Sequence, residues 1–212
     1  MENKEMNQQE SLDLISRMIK QTNNHMALGA GNTFIAWGLV LFLVSIAANI
    51  TIFITKNPIW MWLYMAIPVL GFPIDLIIQR HAKQKETGHV KTYIEDSLDK
   101  VWKAIGLHLI AYPIIVMLLE GVHGTSAWIG MFFLGMFLPA LGTYISAIFL
   151  KKKSLEFLAG IACMLSLLFL CYSMQNGFHF NLPITWQFPL CALFSLVLPG
   201  MIINRMAEDD NK

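Results

Sequence analysis

The chain has 212 residues, of which 56% are hydrophobic and only 14% are charged, and its formal net charge is +1. Soluble domains usually carry about 25% charged residues, so this composition excludes an ordinary soluble domain. The near-zero net charge shows no basic bias, and no nucleic-acid partner is expected.

Residues 1–31 are expected to form a cytoplasmic amphipathic segment. Ser11 is a suitable N-cap, and apolar residues recur at helical spacing over 12–19. Because glycine disfavours helix interiors, Gly29 and Gly31 are expected to end this helix before the membrane domain begins.

Six apolar runs follow, each long enough to cross a bilayer core about 30 Å thick as a helix. They lie at about 33–55, 60–79, 104–120, 128–150, 155–174 and 186–204. The runs predict an all-α, polytopic transmembrane helical bundle over residues 32–205, followed by a short cytoplasmic tail at 206–212.

The segment 80–103, between the second and third spans, is predicted to hold a second amphipathic helix. Ile94, Leu98, Val101 and Ile105 recur at helical spacing, and acidic and basic residues occupy the other face. The simpler interpretation is a helix that lies in the membrane interface, and the alternative is a docking surface for a soluble partner.

Lysine and arginine are distributed unevenly between the two sides of the bundle. If the N-terminus is cytoplasmic, all but one of the 15 basic residues fall in the cytoplasmic segments 1–32, 80–103, 151–154 and 205–212. Only Lys56 lies on the other side. Because cytoplasmic segments carry an excess of Lys and Arg, both termini are expected to be cytoplasmic.

The even-numbered spans resemble one another. Each begins with a tryptophan and carries a Pro-Gly element nearer its other end. The tryptophans are Trp62, Trp128 and Trp186, and the elements are PVLG at 68–71, PALG at 139–142 and PG at 199–200. This repeat predicts three tandem helical hairpins of the same orientation.

A proline inside a membrane helix leaves a carbonyl without its backbone donor, which a neighbouring helix or hydroxyl must then satisfy. Kinks at matched depth have two interpretations. They line a shared cavity, or they are packing features in which Gly142 and Ser146 form a small-residue contact face. We favour packing.

Ionisable residues inside a bilayer are costly and mark functional sites by default. Asp75 in the second span and His108 in the third lie at similar depth, so they could form an intramembrane polar pair. This pair is either a proton or ligand site or, in the interpretation that we favour, a structural feature near the headgroups. Asn49 in the first span is expected to hydrogen-bond another helix.

On the other side, Glu120 and His123 are three residues apart, and His179 lies in the last loop. This spacing is permitted for zinc, but three common residues in loops are weak support, so no metal site is predicted. The sequence also lacks the common motifs of hydrolases, metalloproteases and nucleotide-binding proteins. No enzymatic activity and no cofactor are therefore expected.

The N-terminal segment contains Leu14-Ile15-Ser16-Arg17-Met18-Ile19, and the first span contains Ala36-Trp37-Gly38. In these residues the chain resembles a loosely defined group of bacterial multi-pass inner-membrane proteins. Some members of such groups are encoded beside a winged-helix transcription regulator. The resemblance covers about the first 50 residues. It implies a bacterial inner-membrane location and a regulatory or accessory role, and it supplies no catalytic residues.

Three functions remain open from the sequence. The first is a non-enzymatic accessory, regulatory or sensory subunit that engages a cytoplasmic partner through residues 8–20 and 86–103. A membrane-protein partner and a homo-oligomer in the lipid bilayer are also possible for it. The second is a small transporter or permease subunit for a hydrophobic or small substrate. The third, and least favoured, is a membrane-embedded enzyme that uses Asp75 and His108, or Glu120 and His123.

Overall fold

The structure is a computed structural model that describes residues 8–85, 93–123, 128–175 and 186–209. The described residues are helical except at the turns 56–57, 151–152 and 186, and they contain no strand. The predicted all-α class is therefore confirmed.

The helices follow one another along the chain with short turns between them. In chain order they are α1 (Gln8–Thr55), the 3₁₀ helix η1 (Pro58–Met65), α2 (Ala66–Lys85), α3 (Tyr93–His123), α4 (Trp128–Leu150), α5 (Lys153–Gln175), α6 (Gln187–Ala192), a π-helical turn (Leu193–Val197) and α7 (Leu198–Asp209).

Six segments of the described chain are long and apolar enough to cross a membrane. They are Gly31–Thr55, Ile59–Arg80, Asp96–Val122, Trp128–Leu150, Lys153–Gln175 and Gln187–Met206. The chain is thus a multi-pass membrane protein, as predicted. The third segment begins before the predicted residue 104, because the amphipathic helix and the span form one continuous helix, α3.

The predicted helix break at Gly29 and Gly31 is wrong. The helix α1 runs unbroken for 48 residues, a length of about 70 Å, and so extends well beyond the span that begins at Gly31. The physical reason lies at Gly31, which is fully packed: a methyl group there would collide with the side chain of Asn204 on α7. This glycine serves close helix packing and does not end the helix.

The first and second spans pack as one hairpin, and the third to sixth spans pack one against the next, with the last span at the centre of the bundle. This last span contacts α1 along one side and α4 and α5 along the other, so 56% of the residues in its apolar stretch are buried. The second span is peripheral because α2 packs chiefly against α1, and only 11% of the residues in its apolar stretch are buried. The helix α3 packs mainly on α4 and reaches α1 through the edge-to-face pair Trp102–Phe34.

The two ends of the bundle differ in side-chain chemistry. The basic end carries Arg80, the lysines 151–153 and Arg205. The opposite, aromatic end carries the 3₁₀ helix and the Trp62–Trp128 pair, whose ring centroids are 5.4 Å apart. Bases at one end and amphipathic rings at the other are typical of the two interfaces of a membrane domain.

Aromatic rings fill the interior toward the aromatic end. Tyr64, Phe132, Phe169 and Phe188 are all at most 5% exposed. The ring of Tyr64 meets Phe132 edge-to-face at 4.7 Å and Phe188 at 5.3 Å. These rings join the second, fourth, fifth and sixth spans and occupy the space between them.

Candidate functional site

The carboxylate of Asp75 is half-buried on the side of α2 that faces α1. Its Oδ2 atom accepts a hydrogen bond of 2.9 Å from the side chain of Gln79, and the indole N–H of Trp37 is a second donor to the carboxylate. The other oxygen, Oδ1, is buried and has no hydrogen-bond partner among the described residues. The carboxylate is therefore incompletely satisfied inside the membrane domain.

The structure does not join His108 to Asp75. His108 is exposed on α3, and its Nδ1 atom lies 2.7 Å from the carbonyl of Ala104, to which it donates within the same helix. Neither a hydrogen bond nor an ion pair connects the two side chains. The pairing suggested by their similar depth is not a feature of this structure.

The weak metal candidates at the aromatic end are described only at Glu120. Glu120 accepts a hydrogen bond of 2.8 Å from the indole of Trp128. The side chain of His123 and the whole of His179 lie outside the described residues. Within the described part of the chain, no three His, Cys, Asp or Glu side chains are grouped as metal ligands.

Asn49 forms the helix-to-helix contact that the sequence predicted. It is fully buried on α1 and accepts a hydrogen bond of 3.5 Å from the hydroxyl of Tyr64 on η1. A buried amide in a membrane helix needs such a partner, because no water is present to hydrogen-bond it instead.

Two hairpins contain the same arrangement of a tryptophan over a glycine. The Trp37 ring of α1 covers Gly71 of α2, and the Trp102 ring of α3 covers Gly142 of α4. A Cβ atom at either glycine would collide with the indole or its neighbours. Sequence reasoning found the two glycines in the repeat but missed their tryptophans, which lie on the odd-numbered spans.

Each of these glycines is followed four residues later by a polar side chain on the same helix face. After Gly142 this residue is Ser146, which accepts a hydrogen bond of 3.2 Å from the indole of Trp102 and donates one of 2.8 Å to the carbonyl of Gly142. After Gly71 it is Asp75. The predicted contact face of Gly142 and Ser146 is confirmed, and its partner is α3.

A hydroxyl group on a neighbouring helix replaces the backbone hydrogen bond that the proline of the last span cannot make. Pro199 has no N–H to donate to the carbonyl of Ser195, four residues earlier. The hydroxyl of Thr143 on α4 donates to that carbonyl at 2.6 Å. Thr143 directly follows the PALG element, so one repeat element supplies the donor that another repeat element requires.

Small residues allow the first and last spans to approach closely. A Cβ atom at Gly38 would collide with Val197, and one at Gly200 would collide with the backbone of α1. At the basic end of the same interface, Asn204 donates a hydrogen bond of 2.8 Å to Asn32. Close backbone approach of this kind is how membrane helices gain packing energy.

No protein-family model, no curated protein and no solved structure matches the chain. The chemistry of the site must therefore be judged from its own residues. Most of its interior polar groups bond to other helices or to backbone carbonyls. Among the acidic residues of the described spans, Asp75 lies furthest from a span end, by about one helical turn.

Proposed function

We propose that the protein is a non-enzymatic accessory or regulatory subunit of a bacterial inner membrane. The observation that carries this proposal is how the interior polar groups are used. Asn49, Thr143 and Ser146 each bond within the bundle, and aromatic rings fill the space toward one end. Groups committed to holding helices together are not available to bind a substrate along a path.

The proposed orientation has both termini in the cytoplasm. It rests on the uneven distribution of lysine and arginine, since the basic end would then face the cytoplasm. The bacterial location rests on the resemblance of residues 14–19 and 36–38 to inner-membrane proteins.

The proposed partner contact lies on the cytoplasmic extensions of the helices. The helix α1 continues beyond Gly31 toward its start at Gln8, and α3 begins with a charged turn. On α3, Lys100 and Lys103 form exposed ion pairs of 2.6 and 2.8 Å with the acids four residues earlier. Exposed pairs contribute little stability, so this surface can change its charge without unfolding the protein.

The first test is a pull-down of the tagged protein from its native membrane in mild detergent, followed by mass spectrometry. A stoichiometric partner supports the accessory role. Reversing the charge with Lys100→Glu and Lys103→Glu should release a cytoplasmic partner while the protein stays in the membrane. The matched control is Lys56→Glu, an exposed base at the aromatic end, which should retain the partner. Isolation of the protein alone would contradict the proposal.

The second candidate is a small transporter or permease subunit for a hydrophobic or small substrate. One observation favours it: a π-helical turn, Leu193–Val197, lies in the central span and is hydrogen-bonded by Thr143, the residue that follows the PALG element of α4. Such turns are frequent at functional sites. In proteoliposomes, Gly142→Leu or Pro139→Ala should then alter substrate flux without loss of expression, whereas a pure packing role predicts a loss of stability only.

A further inference from the structure

The two tryptophan-over-glycine arrangements provide an internal comparison. In each hairpin a tryptophan on the odd span covers a glycine on the even span, and a polar residue follows four positions later. In the second hairpin that residue is Ser146, and in the first it is Asp75. The first hairpin thus has a carboxyl group where the second has a hydroxyl.

The second hairpin shows that a neutral residue completes this arrangement. Ser146 accepts from the indole of Trp102 and donates to the carbonyl of Gly142, so both of its hydrogen-bonding roles are used. Serine is small and uncharged, and it places no charge in the bilayer. A structural role for this position therefore does not require an acid.

The first hairpin compensates its acid only in part. The amide of Gln79 and the indole of Trp37 are donors to the carboxylate, but both are uncharged. Oδ1 of Asp75 is buried and accepts no hydrogen bond from a described residue. The elements that pack against α2 offer no charge: α1 has no ionisable side chain between Gly31 and Thr55, and the titratable Tyr64 of η1 lies at the aromatic end beside Asn49.

The helix α2 itself also fails to supply a countercharge. The described base nearest along the helix, Arg80, is exposed and makes no ion pair with Asp75, and the uncharged Gln79 bonds only Oδ2. An ionised carboxylate that has no countercharge is strongly disfavoured in an apolar environment. Adding one proton to a carboxylate oxygen removes that charge.

We propose that Asp75 is a proton-binding site inside the membrane domain, and that it holds its proton while α2 is packed on α1. The proton adds to a carboxylate oxygen and comes from water at the basic end, about one helical turn away along α2. Separation of α2 from α1 hydrates the group and releases the proton. Because α2 packs chiefly on α1, proton binding is coupled to the packing of the second span against the first.

Infrared spectroscopy of the full chain in lipid vesicles at neutral pH tests this directly. The wild type should show a carbonyl stretching band of a protonated carboxylic acid, which shifts to lower frequency in D₂O. Asp75→Asn and Asp75→Ser should both lose this band, and the serine variant should fold because Ser146 already fills the equivalent place. Glu156→Gln, which removes the acid in the first turn of α5, should retain it.

Identical spectra of the wild type and Asp75→Ser in this region would overturn the proposal, since Asp75 would then be ionised. A protonated-acid band that is present in the wild type and unchanged in both Asp75 variants would also overturn it. Because the readout requires no partner, it is independent of the accessory role proposed above.

Discussion

Asn204 donates a hydrogen bond of 2.8 Å to Asn32, and so joins the last helix of the chain to the first. The contact lies at the basic end of an interface where Gly31, Gly38 and Gly200 bring the two backbones close together. The bundle is therefore closed by a contact between its two terminal spans, with the last span enclosed by α1, α4 and α5.

The asparagine pair should contribute modestly to stability. Asn32→Ala and Asn204→Ala should each lower the free energy of unfolding by about 0.5–1 kcal/mol, as is usual for hydrogen bonds between membrane helices. The measurement is a double-mutant cycle, using SDS-induced unfolding in detergent micelles. Costs that simply add would show that the two amides do not interact.

Gly200→Ala should destabilise the bundle much more than the same substitution at a glycine with open space around it. Its Cβ atom would lie 2.8 Å from the carbonyl oxygen of Gly31 and 2.9 Å from the backbone nitrogen of Ile35, and backbone atoms cannot move aside as a side chain can. We expect a loss of about 1–3 kcal/mol in the same unfolding measurement.

The control is Gly160→Ala on α5, where no atom lies within 4 Å of the added Cβ. This change should be neutral, or stabilising by up to about 1 kcal/mol, because alanine is the better helix former. Equal effects at the two glycines would contradict the close contact of the first and last spans.

Thr143→Val should lower the stability of the bundle, because it removes the hydrogen bond that compensates for Pro199. Valine has nearly the same shape but cannot donate to the carbonyl of Ser195, so unfolding free energy should fall by about 1–3 kcal/mol. Pro199→Ala restores a backbone N–H to the segment, and in that background the same change should cost clearly less. A cost that is equal in both backgrounds would show that Thr143 does not compensate for the proline.

Cysteine labelling should place Lys56 and Lys152 on opposite sides of the membrane. With Cys163, Cys171 and Cys191 replaced by alanine, Lys56→Cys should react with a membrane-impermeant maleimide on intact bacterial cells. Lys152→Cys should react only after lysis, since the basic end is proposed to be cytoplasmic. The reverse pattern would contradict the proposed orientation.

The polar groups of the site were only partly predictable. Asn49 was correctly expected to bond another helix, because an amide inside a span needs a partner. Thr143 was missed, although it follows the PALG element directly, because its acceptor lies 52 residues away on another span. Asp75 was found, but its pairing with His108 was inferred from depth alone, and depth does not say which helices are neighbours.

The sequence by itself determined the helical class, the six spans and the uneven distribution of bases, because length, hydropathy and charge decide which segments enter a bilayer. Only the tertiary structure decided that α1 runs unbroken through Gly31, that the last span is central, and that Trp37 and Trp102 cover two repeat glycines. Lipid tails are as apolar as the helix faces, so hydrophobic pattern does not select which faces meet. Small-residue fit and a few hydrogen bonds make that choice, and both depend on residues far apart in the chain.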